Sequence, residues 1–361
     1  MKLPERVLAV NLNQLGDALF TTPALALLRE RLPDAHIDVQ AGGRAASVLA
    51  GNRDIDHLYA RPPRRGMSRN AALLRTLRAG RYDAVILFQS NLSYAILARA
   101  AGVPVRVGFA QNACGPFLTR RVPPARRGEH LVASYVRLID AFCEGGEVPA
   151  AGHLPLKVAV SAADHAFADG FLREQGLTTP VVALVIGTTR PQKRWPEEYW
   201  SVLADRLWDA CGARSLLIGG PDEAAEAARI RAAARSPLVS AVGHTDMKQL
   251  AALLSRCSVV VTGDSGPMHL ATAVGTPVVA LFGSTDPRET GPWHGAPDHP
   301  VRGSVLYDAL PCAPCGKSPT CGGRFDCLRG LTPERVFAAT ASTLGVGTWD
   351  PLPVIPTTGG V

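Results

Sequence analysis

Three stretches of this 361-residue chain place carboxylate, hydroxyl or ammonium groups beside glycine just after short apolar runs. Leu15-Gly16-Asp17 follows the run Val7 to Leu12. Gly187-Thr188-Thr189-Arg190-Pro191-Gln192-Lys193-Arg194-Trp195-Pro196 follows Val181 to Ile186. Gly263-Asp264-Ser265-Gly266-Pro267-Met268-His269 follows Val259 to Val261. A single carboxylate at a strand end can accept a proton as a general base, or simply cap a helix. Two threonines and a lysine ahead of a helix suit a diphosphate, since Lys193 can neutralise charge that leaves with it. Without such a ligand, Lys193 is an ordinary surface lysine. Asp264, Ser265, Gly266 and His269 gather on a turn that opens a helix, with Pro267 at its first position; helix N-termini attract anions. Leu216-Leu217-Ile218-Gly219-Gly220-Pro221-Asp222-Glu223 adds an acidic residue after another strand, where ribose hydroxyls are commonly bound, and Glu223 is favoured over Asp222. Met247, at the start of a helix, could pack on a base or fill a core.

These groups need a scaffold, and the apolar pattern supplies one. In the first half, strands are expected at Val7 to Leu12, Ile37 to Gln40, Tyr82 to Phe88 and Val105 to Phe109. Helices are expected from Leu19 to Leu32, Ala71 to Arg78 and Leu92 to Ala101. After a loop rich in Pro, Gly and Ala, a helix from Ser161 to Gly176 leads to a second series. Its strands begin at Val181, Leu216, Val239, Val259 and Val278, and its helices near Pro196, Asp246, Pro267 and Pro333. Short β-branched runs alternating with helices predict α/β domains with parallel sheets, in which ligands bind beyond the carboxyl ends of the strands. Two Rossmann-like domains are expected, 1–160 and 161–345, with 346–361 a mobile tail.

The hydrophobic content is 47%, 19% of residues are charged and the net charge is +7. No apolar run approaches the ~18 residues of a membrane span, so a cytoplasmic protein is expected. Arg61, Arg64, Arg65 and Arg69 form one basic cluster; Arg120, Arg121, Arg126 and Arg127 form another. They suit an anionic partner, and with no nucleic-acid motif beside them a glycolipid or membrane surface is favoured. Of eight cysteines, Cys312, Cys315, Cys321 and Cys327 are spaced as a possible structural zinc site; a structural role is favoured over a catalytic one.

Taken together, several motifs resemble glycosyltransferase family 9, the heptosyltransferase family. They are Leu15 to Leu25, the Thr-Thr…Lys-x-Trp-Pro run ending at Pro196, Asp264 to Ala271, Gly275-Thr276-Pro277, and Phe282 to Pro287. Its members build the inner core of lipopolysaccharide from ADP-heptose. The resemblance implies a GT-B architecture, two Rossmann-like domains facing a central crevice, with the acceptor on the first and the nucleotide sugar on the second. It implies an inverting, metal-independent single displacement with no required cofactor, in which Asp17 is the base. Thr188, Thr189 and Lys193 would hold the diphosphate, with Glu223, Met247, Asp264, Ser265, Gly266 and His269 around the donor. Arg61, Arg64, Arg65 and Arg120 would meet a Kdo- and phosphate-bearing acceptor, and the enzyme would sit on the cytoplasmic face of the inner membrane. The alternatives are a relative using another nucleotide sugar or acceptor, a nucleotide-sugar 2-epimerase, and a non-catalytic nucleotide- or glycan-binding protein.

Overall fold

The computed structural model describes residues 4–11, 15–60, 67–143, 154–178, 180–293 and 303–346. The expected tail lies outside the described residues from 347 onward. The first series of elements is β1 (Arg6–Val10), α1 (Leu15–Phe20), α2 (Thr22–Arg31), β2 (His36–Ala41), α3 (Arg44–Leu49), β3 (His57–Ala60), α4 (Met67–Gly80), β4 (Ala84–Leu87), α5 (Leu92–Ala100), β5 (Val105–Phe109), β6 (Arg120–Val122) and α6 (Leu131–Cys143). The second begins with α7 (Ala162–Glu174), β7 (Val181–Val185), α8 (Glu197–Cys211), β8 (Arg214–Ile218), α9 (Ala224–Ala233), β9 (Leu238–Ser240) and α10 (Met247–Leu254). It ends with β10 (Val259–Gly263), α11 (Gly266–Ala273), β11 (Val278–Phe282), α12 (Pro287–Thr290), β12 (Gly303–Tyr307), α13 (Asp326–Arg329) and α14 (Pro333–Thr343).

Each series forms a six-stranded, wholly parallel sheet, ordered β3-β2-β1-β4-β5-β6 in the first and β12-β11-β10-β7-β8-β9 in the second. Counted from its own first strand, each has the doubly wound order, with a switch point between β1 and β4 or between β7 and β10. The central strands are buried along their length, as helices on both faces require: Val181 to Val185 and Val259 to Gly263 are all buried.

The helix expected from Leu19 to Leu32 is instead two helices. Pro23 lacks the N–H that would bond the Leu19 carbonyl, and the Thr22 hydroxyl donates to that oxygen at 2.7 Å in its place. Thr21 does the same to Ala18, also at 2.7 Å. The first of the two begins at Leu15, which puts Asp17 in the first turn of α1 and not in the expected loop.

The chain forms two compact units: Met1–Ser161 with Arg288–His299, and Ala162–Pro287 with Pro300–Val361. Within the first, the returning segment is well anchored. The Gly128 amide donates to Glu289 Oε1 at 3.0 Å, and the Trp293 indole donates to the Leu154 carbonyl at 2.9 Å. The His130 ring lies 4.6 Å from Trp293 and 5.1 Å from Phe20. Its Nδ1 accepts from the Val132 amide at 3.2 Å while Nε2 donates to the Gly291 carbonyl at 3.1 Å, an arrangement that uses the neutral ring.

Burial lowers the His130 pKa to about 4, against the opposing pull of the Gly291 carbonyl. As pH falls, the unfolded chain takes up this proton first, from about 6.5. The contribution of His130 to stability should therefore fall between about pH 6.5 and 4 and change no further below that, a loss of at most about 3 kcal/mol from this group. Melting curves of the chain against His130→Gln over this range check it; parallel profiles would refute it.

In the second unit Trp195 and Trp200 meet edge to face at 4.7 Å, and the Trp195 indole donates to the Leu331 carbonyl at 2.7 Å. This fixes the loop before α8 to the chain leading into α14. Among the described residues no helix is long and apolar enough to cross a membrane.

Candidate active site

At the switch point of the second sheet, three strand-end loops meet on one carboxylate. Lys193 Nζ donates to Asp264 Oδ2 at 2.5 Å, and the Thr285 hydroxyl donates to the same oxygen at 2.7 Å. Lys193 comes from the loop after β7, Asp264 from the loop after β10 and Thr285 from the loop after β11. Asp264 is buried, and an unpaired carboxylate there would be costly, so the contacts fix its position and that of the ammonium. The Lys193 side chain is still 17% exposed, enough to meet a ligand.

Glycine makes the approach possible. A Cβ on Gly263, the last residue of β10, would lie 2.8 Å from the Lys193 carbonyl and 3.5 Å from Thr188 Cγ2. Thr188 donates to the Arg190 carbonyl at 2.9 Å, closing the turn, while Thr189 is exposed. Ser265 precedes α11 but gives it no side-chain cap; its hydroxyl lies 2.9 Å from that of Thr262 instead. The Ser265 side chain thus leaves the first turn of α11 uncapped, although the Met268 amide donates to the Ser265 carbonyl at 3.2 Å.

The other expected donor contacts fare differently. His269 is buried on the inner side of α11 beside Met268, Leu270 and Ala271, not displayed on the turn. Glu223 Oε2 accepts from the Gly220 amide at 2.8 Å, and Oε1 accepts from Arg194 at 3.0 Å. Its carboxylate lies against Gly187, where a Cβ would come within 2.9 Å. Arg194, which the sequence reading did not single out, also donates to Glu226 at 2.6 Å. Burial raises the Glu226 pKa and Arg194 opposes it. Met247 is half-buried as the first residue of α10, a helix capped by Asp246, and takes no part in the Lys193–Asp264 group.

In the first unit, Asp17 is half-buried in α1. Asn11, immediately after β1, donates to the Thr21 hydroxyl at 2.9 Å and accepts from Gln89 at 3.4 Å. Gln89 follows β4, so these amides mark the switch point of this sheet. Tyr135 of α6 completes the group: burial raises its pKa, and so does the negative charge of Asp17, while a hydrogen bond with Gln89 opposes both. This group of Asn11, Gln89 and Tyr135, of which Tyr135 feels the charge of Asp17, escaped the sequence reading, although two of its members follow strands that flank a doubly wound switch point. Arg120 donates to the Phe142 carbonyl, its guanidinium 5.9 Å over the Phe142 ring, which pins it to the end of α6. Arg61, Arg64 and Arg65 lie outside the described residues.

Cys312, Cys315, Cys321 and Cys327 are free thiols that line one small cavity with Gln192, Gly283 and Ser284. Burial raises the pKa of Cys315 and of Cys327; backbone amides, that of Phe325 foremost, lower that of Cys321. Among the described residues no group of three or more His, Cys, Asp or Glu is arranged to hold a metal ion. The loop has a structural connection: the Gly316 amide donates to the Ser284 carbonyl at 2.7 Å, and Gln192 donates to the Gly316 carbonyl at 3.2 Å. It therefore braces Gln192 and Ser284, the residues immediately before Lys193 and Thr285.

Residues 70–316 match the model of glycosyltransferase family 9 (heptosyltransferase). The chain belongs to that family. As a family 9 member it is a glycosyltransferase, and its relatives place it among enzymes of heptose transfer in lipopolysaccharide assembly. It is 29% identical to lipopolysaccharide heptosyltransferase 1 of Pseudomonas aeruginosa, an alignment covering 92% of this chain and 96% of that protein. It is similar to the structure of Escherichia coli ADP-heptose LPS heptosyltransferase II, with a TM-score of 0.75 and 24% identity over 94% of this chain and 98% of the other. The paired parallel α/β units are thus those of the GT-B fold. It is also similar to E. coli heptosyltransferase WaaC with ADP-2-deoxy-2-fluoro heptose, with a TM-score of 0.61 and 25% identity over 78% of this chain and 90% of the other.

Proposed function

We propose that this family 9 enzyme moves a heptose from ADP-heptose to the Kdo- or heptose-bearing inner core of lipopolysaccharide, inverting the anomeric centre in one displacement. The observation that carries the reading is Lys193, an accessible ammonium clamped by Asp264 at the switch point of the second sheet. The ADP-heptose analogue named with the WaaC structure supports the choice of donor.

In this mechanism Asp17 accepts the proton of the acceptor hydroxyl as its oxygen bonds to the anomeric carbon. The bond from that carbon to the β-phosphate oxygen breaks, and ADP leaves with the bonding pair. Lys193, the hydroxyls of Thr188 and Thr189, and the first amides of α11 meet the charge that grows on the diphosphate, so no metal ion is required. Residues 161–345 hold the donor, with Asp264, Ser265 and Gly266 beside its phosphates and Glu223 and Met247 beside the nucleoside. His269 supports the turn from within α11. Residues 1–160 take the acceptor, and Arg61, Arg64 and Arg65 meet its carboxylates and phosphates, with Arg120 shaping α6 nearby. The enzyme works on the cytoplasmic face of the inner membrane as a peripheral protein.

The test is release of ADP by purified protein from ADP-heptose in the presence of EDTA, with and without a Kdo-containing lipid A acceptor. Release that requires acceptor is expected. Tight donor binding without turnover would favour another acceptor or a binding protein, and failure to bind ADP-heptose would sink the donor assignment.

A further inference from the structure

Charge is divided unevenly along this chain. Residues 1–161 carry 21 Lys and Arg against 12 Asp and Glu, and residues 162–361 carry 17 against 19, so the whole positive excess lies in the first part. It is concentrated further. From Met67 to Gly128 there are ten arginines, no lysine and one carboxylate, Asp83. That carboxylate is engaged by the backbone amides of Glu5 and Arg6 at 2.8 and 2.9 Å.

Helices α4 and α5 pack side by side in this region. Their inner faces, Leu73 and Leu77 on one and Tyr94, Ala95 and Ala98 on the other, share a core with β1 and β4. Their outer faces are unusual. On α4 the exposed positions spaced as one stripe are Ala71, Arg75, Arg78 and Ala79; on α5 they are Leu92, Ile96, Arg99 and Ala100. Both stripes have the i, i+4, i+7, i+8 spacing of a single helical face, and neither contains an acidic residue. Leu92 and Ile96 are 37% and 40% exposed, one turn apart on a helix already apolar on its buried side. Arg78 reaches the Ala100 carbonyl at 3.3 Å, so the stripes adjoin. Among the described residues Arg75, Arg78, Arg81 and Arg99 make no ion pair, unlike Arg6, Arg29 and Arg137, which meet Asp38, Asp56 and Glu129.

A water-facing helix surface normally mixes both signs of charge. One with aliphatic side chains between unpaired arginines instead matches the interface of an anionic bilayer. The aliphatic groups enter the acyl boundary, and the arginines lay their stems along it with their heads among the phosphates. We infer that the outer face of α4 and α5 docks this protein on an anionic phospholipid surface. The inference deepens the peripheral membrane association proposed above by placing it on named residues, and it does not depend on which sugar is moved.

Co-flotation of the full chain with phosphatidylcholine vesicles, alone or mixed with phosphatidylglycerol, tests it. Binding to the mixed vesicles only, weakened by added salt, is expected. Arg75→Glu/Arg78→Glu/Arg99→Glu should weaken that binding about 100-fold, since each arginine near such a surface is worth about fivefold. Leu92→Asp/Ile96→Asp should weaken it about tenfold or more through lost apolar burial. All the substituted side chains are exposed, and unchanged melting temperatures would show that both variants fold. Turnover on a delipidated, soluble acceptor should be the same in all three proteins, which separates failure of docking from failure of sugar transfer. Equal binding to neutral vesicles, absence of binding to either, or variants that float like the parent would overturn the proposal. So would displacement from vesicles by duplex DNA that itself binds more tightly.

Discussion

Asp17→Asn is expected to abolish all but a small residue of sugar transfer, a loss of about 10²- to 10⁴-fold in turnover, while ADP-heptose affinity stays within about twofold. The expectation follows from the polar group at the switch point of the first sheet, whose Tyr135 feels the charge of Asp17. Asn11 and Gln89 are amides and cannot accept a proton at neutral pH. Tyr135 is held as a neutral phenol, because burial and the charge of Asp17 both raise its pKa. Asp17 is thus the one group of this set able to take the acceptor proton. The asparagine keeps size and hydrogen bonding but removes basicity, so it tests the proton rather than the fold. Steady-state turnover paired with calorimetric donor titration checks it. A variant retaining more than about a tenth of parental turnover would assign the base elsewhere.

Lys193→Met should lower turnover about 10²- to 10³-fold, because the ammonium acts where charge develops on the leaving diphosphate. This substitution has a second expected effect. Asp264 is buried and would keep only the Thr285 hydroxyl at its Oδ2, so removing the cation leaves a carboxylate without its counter-charge. Breaking a buried pair from one side costs about 3–5 kcal/mol, whereas replacing both partners is far less damaging. The double variant Lys193→Met/Asp264→Asn should therefore regain much of the lost melting temperature and none of the lost turnover. Recovery of both would mean that Lys193 serves the fold alone; recovery of neither would mean that the clamp does not hold the site together.

Much of this was legible in the residues. The strands at Val181, Val259 and Val278 were visible as short β-branched runs, and Gly263 and Pro267 marked the turn between strand and helix. Asp246 announced α10 and caps it, accepting from the Lys248 and Gln249 amides at 2.8 and 2.9 Å. Other parts left little signal. β6 has the sequence Arg-Arg-Val and is a strand because it pairs with β5, a tertiary cause without a local signature. β3 is four residues long and mixed in character. α6 was overlooked despite a regular pattern, its buried Val132, Tyr135, Val136, Ile139 and Phe142 recurring at helical spacing. In the site, Thr285 sat within a quoted motif, yet its bond to Asp264 joins loops 21 residues apart and no spacing rule foretells it. Glu223 is expected from its place after a strand to meet ribose hydroxyls, but sequence could not show that Arg194 and the Gly220 amide already engage it.

The return of Arg288–His299 to the first unit has a consequence for anyone recombining these enzymes. A hybrid of two relatives joined once, near Ser161, would place Trp293 and Gly291 from one parent against His130, Phe20 and Leu154 from the other. Such a hybrid mixes parents inside a single packed layer. Keeping each layer of one ancestry takes three junctions, after Ser161, before Arg288 and after His299. Gene-shuffling libraries built on a single crossover are therefore selecting for compatibility at the Trp293–His130 contact as much as for any change of substrate.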